Sequence, residues 1–444
     1  MLEDALQRSE RAVEAALRAG ASDAEATHAI VERFSTEARD QTIVKLEQSI
    51  GRSLSVRVFA NGGQATLTTT DLAPERLDEL AAEAVAAARS VAADPFSGLP
   101  DAFAPTADSN ALALYADDVP ARPAKEKLAA VLELEHLIRK HDPRIQNSGG
   151  SRLVDAITTT ALANSRGFRG AYRSTSVSVG TNPIALDGEE KRNAAYGFAA
   201  RSWAAMDSVE EIARIAAERA VGMCGARKPP TERLPVIFER DVAGSVLADV
   251  FSSLSAANVA IGNSFLVDRI GAEIGSELVT ILDDGLRPAG LGSSPFDAEG
   301  VATRVTTVFE RGVLKTFLYD TYYGRKLGAA STGNGAGGGI GPNNFYLAPG
   351  TLSLEALIAQ TERGIFVLDT IGFATEHVTG TYSRGARGFY IENGALAYPI
   401  EEFTIASDLA AMLGAIDGVA SDLRFDGAIV APSFRIAEMT VSGN

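Results

Sequence analysis

Residues 331–344, STGNGAGGGIGPNN, carry six glycines between Gly333 and Gly341. A run of that density lets backbone approach a neighbour closely. Gly333, Gly335 and Gly338 spell G-x-G-x-x-G, the pattern of a phosphate cradle. Such a cradle must follow a strand and open a helix that faces the pyrophosphate. Here the preceding YDTYYGRKLGAA reads as helix, and Pro342 and Pro349 bar a helix afterwards. A P-loop also needs a lysine, which the run lacks. Nucleotide binding is therefore disfavoured, and the run is either a wall for another ligand or a plain turn. Asp283, Asp284, Asp297 and Glu299 cluster nearby and could hold a hard cation or transfer protons. Their spacing fits no calcium loop. Gly285 and Gly300 beside them favour an acidic loop tied by Asx-turns.

Other hydrolytic machinery is sparse. The chain has no H-E-x-x-H, G-x-S-x-G or C-x-x-C, and its histidines are His28, His136, His141 and His377. On a helix, His136 and His141 stand about 140° apart, too far to share a metal. Cys224 is the only cysteine, which excludes an internal disulfide and a multi-cysteine cluster. It reads as a small buried apolar residue. A net charge of −16 speaks against direct, unspecific nucleic-acid binding, which needs dense Lys and Arg. The N-terminal stretch MLEDALQRSERAVEAALRAG is an amphipathic helix rather than a signal peptide. No stretch reaches the roughly 18 apolar residues of a membrane span. A cytoplasmic protein without membrane contact is expected.

The 444 residues allow two or three domains. Leu2, Leu6, Val13 and Leu17 share one side of a helix over 2–19. Strand-like segments follow at 24–36 and 52–69, with Leu54, Val56 and Val58 alternating against polar neighbours. Pro74 sits in the first turn of the next helix, and residues 94–122 read as a loop. The order then recurs: a helix over 123–141, strands across 151–204, and a helix opened by Ser208 with Glu211 three residues on. Units 1–95 and 123–225 thus read as an internal repeat within an N-terminal domain, 1–225. Pro229 and Pro230 mark the boundary. A β-rich C-terminal domain spans 230–444, with hairpins at Arg311-Gly312 and Asn393-Gly394. Helices at 241–257 and 353–362, the latter capped by Ser353, interrupt it. The fold class is α+β.

The C-terminal half carries ILDDG, SSPFDAEGVAT, GVLKTFLYDTYYGRKLGAASTGNG, GTYSRGARGFYIENGALAYPI and APSFRIAEMTVSGN in that order. In this it resembles the TldD/PmbA family, peptidase U62, also called "modulator of DNA gyrase". The likeness is strong from about 260 to the end and weak before 230. It implies a two-domain TldD/PmbA-like fold. TldD-type members resemble metallopeptidases, with H-E-x-x-x-H on a helix and a cysteine near the C-terminus as zinc ligands. PmbA-type (TldE) members lack these ligands and pair with the TldD type.

The matching helix here is GSVLADVFSSLSA, and the His, Glu and His positions hold Ala248, Asp249 and Ser253. Alanine has no donor atom, and a hydroxyl is a poor zinc ligand beside imidazole. Residues 424–444 hold no cysteine. The resemblance therefore implies a metal-free PmbA/TldE-like subunit with no catalytic residues of its own. Zinc is expected only in a TldD-type partner, and unfolded or modified peptides are the expected substrates. Ser331, Thr332, Gly333, Asn334 and Gly335 would line the substrate cleft as an exposed loop close to that helix. The alternative is a self-sufficient homodimer that binds peptides without hydrolysing them.

Overall fold

The structure, a computed structural model, describes residues 2–443, except for the side chains at 373 and 374. The N-terminal domain runs α1 (Leu2–Arg18), β1 (Asp23–Arg39), β2 (Thr42–Ala60), β3 (Gly63–Thr69), α2 (Pro74–Ser90), α3 (Asp118–Ala121), α4 (Ala124–His141), β4 (Ile145–Asn164), β5 (Arg169–Asp187), β6 (Glu190–Asn193), β7 (Tyr196–Ala200) and α5 (Val209–Gly222). Its strands form one seven-stranded sheet, β3-β2-β1-β4-β5-β6, with β7 also on β5. The two helix–strands–helix runs share this sheet through antiparallel pairing of β1 with β4.

Helices cover one face, where Leu54, Val56 and Val58 are fully buried beneath α1 and α2. The Ser208 hydroxyl accepts the Glu211 N–H at 3.1 Å and starts α5. The segment read as one strand over 52–69 is two, because Asn61 and Gly62 turn the chain with φ of 53° and 79°. An Asn-Gly turn of this type supplies positive φ twice. Strand also continues to Arg39 and, after a turn at Asp40 and Gln41, resumes at Thr42; over residues 42–51 side chains on both faces are mostly solvated and no alternation marks it.

The C-terminal domain runs β8 (Glu232–Phe238), α6 (Arg240–Leu254), α7 (Ala256–Ala260), β9 (Ile281–Asp284), β10 (Val305–Glu310), β11 (Val313–Leu314), α8 (Thr321–Leu327), β12 (Phe345–Leu347), α9 (Leu354–Ala359), β13 (Arg363–Glu376), β14 (Thr381–Glu392), β15 (Ala395–Asp408), α10 (Leu409–Gly414), β16 (Ile416–Val419), β17 (Ile429–Val430) and β18 (Phe434–Ser442). One sheet has the order β15-β14-β13-β8-β18-β16, and β15 also pairs with β18. That pairing closes β8, β13, β14, β15 and β18 into a barrel and removes their free edges. A second sheet, β11-β10-β9-β12-β17, stands beside it. Helix α6 packs between them, on β13 to one side and on β12 and β17 to the other. Asn393 and Gly394 (φ 52° and 73°) turn β14 into β15, and the Ser353 hydroxyl caps α9 through the Ala356 N–H. The fold is a two-domain α+β arrangement. Helix α10 is an element with no clear signal in the sequence.

The uncovered face of the N-terminal sheet receives the C-terminal domain. Arg57 on β2 pairs with Glu25 at 2.8 Å and reaches Glu299 at 3.5 Å. Tyr172 of β5 packs edge-on against Phe296.

Candidate functional site

Helix α6 starts at Glu239, whose carboxylate accepts the Asp241 N–H at 2.8 Å. Burial first, and then the Asp241 charge, push the Glu239 carboxyl up to about 7. The helix's apolar side, including Val242, Val246, Val250 and Leu254, is buried in the domain core. Asp249 and Ser253 meet the β13–β14 hairpin. The Asp249 carboxylate accepts Arg384 at 2.7 Å and the Thr375 hydroxyl at 3.0 Å. Arg384 also donates to the Gly372 carbonyl at 2.8 Å. Ser253, fully buried, lies 3.2 Å from His377 Nδ1 and 3.2 Å from the Asp249 carbonyl. Ala248 offers only its carbonyl, which accepts Ser252. Tyr382 is buried under Arg384, its ring centre 5.4 Å from the guanidinium carbon. Burial raises its phenol well above the ordinary value, so it stays protonated.

This arrangement is charge-neutral and internally bonded. A carboxylate shared by a guanidinium and a hydroxyl is held as an ion-pair partner rather than free to take a proton. Arg384, Thr375 and His377 were not singled out by the sequence reading. Asp249 and Arg384 are 135 residues apart, and no local spacing links them.

Arg384 also lines a cleft of about 670 Å³ between the domains. Asn193, Tyr196 and Arg219 wall it from the N-terminal domain, and Ser245, Thr370 and Arg387 from the other. Along this part of β13, Asp369, Thr370 and Ile371 pair with β14, and β8 reaches only Ile365–Val367. The cleft thus has one strand edge open to it.

The glycine run lies elsewhere. Ser331 and Thr332 bond back to Tyr319, and Arg304 donates to their carbonyls. Asn334 donates to Asp283 at 2.7 Å, Asn343 donates twice to the same carboxylate, and the Gly335 N–H donates to Asp297 at 2.8 Å. Gly333, Asn334 and Gly335 are consequently buried, and only residues 336–338 are exposed. This corrects the expectation of an exposed loop: two buried carboxylates pull its neck inward. Asp297 also accepts the Glu299 and Val301 N–H groups, and Asp284 accepts the Leu286 N–H. The acidic cluster is thus a frame tied by Asx-turns, in line with the sequence reading. Burial raises Asp283. Burial first, and then the Glu299 charge, push Asp297 up to about 7.

Gly333, Asn334 and Gly335 line a smaller cleft of about 210 Å³ with Thr27, Thr160 and Tyr172 of the N-terminal sheet. The large and small clefts share no residue. The α6 helix and the loop therefore do not wall one cleft. The segment between them links the two, since Leu318 donates to Leu254 and Thr332 to Tyr319. At Gly333, φ is +77° and an added Cβ would stand 2.9 Å from the Ala302 carbonyl oxygen. Gly333→Val should cost about 2 kcal/mol or more through backbone strain and that contact. A urea titration of the variant checks this, and an unchanged midpoint would contradict the packed neck.

Sequence models of the PmbA/TldA metallopeptidase family match three parts of the chain: domain 1 at 24–88, the central domain at 117–223 and the C-terminal domain at 231–443. A Haemophilus influenzae protein named metalloprotease PmbA homolog is 32% identical over 435 residues, covering 98% of this chain and 95% of its own. The chain belongs to the PmbA/TldD family. Metalloprotease PmbA of Escherichia coli O157:H7 is 30% identical over 443 residues, covering 98% of this chain and 96% of its own. Among solved structures of PmbA/TldD proteins, one from Bacteroides thetaiotaomicron described as a modulator of DNA gyrase superposes with a TM-score of 0.92 at 25% identity, covering 99% of this chain and 98% of its own. TldE from Thermococcus kodakarensis, at 20% identity, shares the fold with a TM-score of 0.86 over 98% of this chain and all of its own.

The family name implies a metal, and the residues at the matching positions do not suit one. Ala248 has no side-chain donor, Asp249 is occupied by Arg384, and Ser253 is bonded within the core. Among the described residues, no group of three or more His, Cys, Asp and Glu is placed to hold a metal ion. No helix there is long and apolar enough to cross a membrane.

Proposed function

We propose that this chain is the metal-free, PmbA/TldE-type subunit of a heterodimeric TldD–TldE-type metallopeptidase acting on unfolded or modified peptides. The observation that supports this reading is the buried Asp249–Arg384 pair, at the position that the resemblance matches to the catalytic glutamate of a TldD-type chain. The partner supplies zinc and the water-activating chemistry. This chain contributes part of the substrate groove, for which the interdomain cleft beside Arg384 is the leading wall. Its open β13 edge offers main-chain groups that can pair with an extended peptide irrespective of side chain. Gly333, Asn334 and Gly335 serve as the rigid frame of the smaller cleft, where Tyr172 supplies an aromatic wall, and Ser331 and Thr332 anchor them to Tyr319.

The test is reconstitution. Purified chain is mixed with a homologue carrying H-E-x-x-x-H, and cleavage of an unstructured peptide is followed. The proposal expects cleavage by the mixture and none by this chain alone. Equal cleavage by the homologue without this chain would sink it. A chain that binds peptide, ignores the homologue and forms only homodimers would instead be the non-hydrolytic peptide binder.

A further inference from the structure

His28 sits on the helix-covered face of the N-terminal sheet, opposite Leu54 on β2 and Ala161 on β4, and is only 1% exposed. Neither of its ring nitrogens makes a hydrogen bond. The Ala5 carbonyl of α1 lies near enough to favour the protonated ring, yet it does not complete a bond of normal geometry. Burial, reinforced by the Arg8 and Arg52 charges, holds the imidazole below its ordinary value, so the ring is neutral near pH 7. A buried polar group left unpaired is costly. In a native protein it calls for a partner that the chain itself does not supply.

The ring lines a groove of about 650 Å³ bounded by the start of α1, strands β1 and β2, and residues 70–73. Ile30 and Ile50 form its floor, and Ile50 is 60% exposed although it lies on a core face. The charges around the groove divide into held and free. Arg8 leans on Asp4 at 3.5 Å and on the Leu72 carbonyl at 3.4 Å, and Asp71 accepts the Ala73 N–H. Among the described residues, no ion pair or side-chain hydrogen bond engages Arg52 or Glu32. Arg52 stands opposite Ile30 and Glu32 opposite Ile50. A free cation and a free anion are therefore diagonal neighbours on one face, about 7–8 Å apart at Cα.

That arrangement selects the ligand. A simple anion would meet Asp4, Glu32 and Asp71 as well as the arginines, and a simple cation would meet Arg8 and Arg52. A molecule with one charge of each sign at its two ends satisfies both sides. Two extended residues span about 7 Å, so the ammonium and carboxylate of a dipeptide match the diagonal. The isoleucine floor favours apolar side chains. We propose that this groove binds a zwitterionic dipeptide with apolar side chains, its carboxylate on Arg52, its ammonium on Glu32 and its peptide group on His28. A neutral imidazole has one nitrogen that donates and one that accepts, and a peptide group offers a partner for either. The groove shares no residue with the interdomain cleft beside Arg384. It belongs to this chain alone, so its failure would leave the heterodimer reading standing.

The experiment is calorimetric titration of the full chain, without any homologue, using leucyl-leucine as the probe. It should show saturable binding of one dipeptide per chain. Acetylating the probe's amine or amidating its carboxyl should each weaken binding about tenfold or more, because each removes a charge-assisted contact. Glu32→Gln should weaken the free dipeptide about tenfold and abolish the penalty for acetylation, and Arg52→Gln should do the same for amidation. Arg52 is exposed and Glu32 half-buried, so both variants should fold, and matching thermal melts check this. The His28 ring signals in the NMR spectrum should move as the probe saturates. No saturable binding, equal binding of the acetylated or amidated probe, indifference to both substitutions, His28 signals that stay in place, or acetate binding as tightly as the dipeptide overturns the proposal.

Discussion

Arg384→Ala should lower the stability of the C-terminal domain by about 3–5 kcal/mol, the usual cost of stranding one member of a buried ion pair. The side chains of Arg384 and Asp249 are only 11% and 14% exposed. Removing the guanidinium leaves the Asp249 carboxylate with the Thr375 hydroxyl as its remaining side-chain partner, and frees the Gly372 carbonyl. Asp249→Ala should cost a comparable amount, because it strands the positive charge instead. Replacing both together, as Asp249→Leu with Arg384→Met, should recover most of the loss, since neither charge is then unpaired. Urea unfolding of the parent protein, Asp249→Leu, Arg384→Met and the combined variant gives the coupling directly. If the double replacement costs the sum of the two single ones, the pair contributes nothing as a pair.

The second large effect is on pH dependence. Asp297 is an acid whose folded-state pKa is raised, from 3.8 to about 7, by burial and by Glu299. Below pH 3.8 the folded and unfolded chains are both protonated at this position, and its contribution is intact. Between there and about pH 7 the unfolded chain has lost the proton and the folded chain keeps it, so stability falls as pH rises. The total loss is on the order of 4 kcal/mol. Glu239, raised to about 7 by burial and then by Asp241, acts in the same direction. Asp297→Asn isolates the first contribution. It should be less stable at pH 4, because its amide turns a donor toward one of the Gly335, Glu299 or Val301 N–H groups. It should also lack the extra slope between pH 4 and 7. Unfolding midpoints at pH 4, 5.5 and 7 for both proteins check this, and parallel slopes would contradict it.

Much of the architecture is written locally. Ser208 and Ser353 cap helices, Pro74 opens one, and Asn393-Gly394 turns a hairpin, because each acts within a few residues. Where the physics is non-local, the sequence is silent. Strand β2 was invisible over residues 42–51 because solvent bathes both its faces and no alternation remains. The Asn61-Gly62 turn carried a usable signal, an Asn-Gly pair between two strand-like segments. Closure of the barrel depends on β15 meeting β18 at Thr404–Ala406 and Thr440–Ser442, which no spacing announces. The site divides in the same way. Ala248, Asp249 and Ser253 were found through the resemblance, whereas Arg384 and His377 appear only once β13 and β14 fold over α6. The glycine run was legible as a close backbone approach. What it approaches, Asp283 and Asp297, was read as a separate acidic loop.

The central claim is that this chain's own site holds an ion pair in place of a metal. Its most direct test is elemental analysis of protein purified without chelator and equilibrated with zinc, then dialysed. The account predicts zinc far below one per chain, unchanged by Asp249→Ala or His377→Ala. About one zinc per chain, lost in either variant, would contradict it.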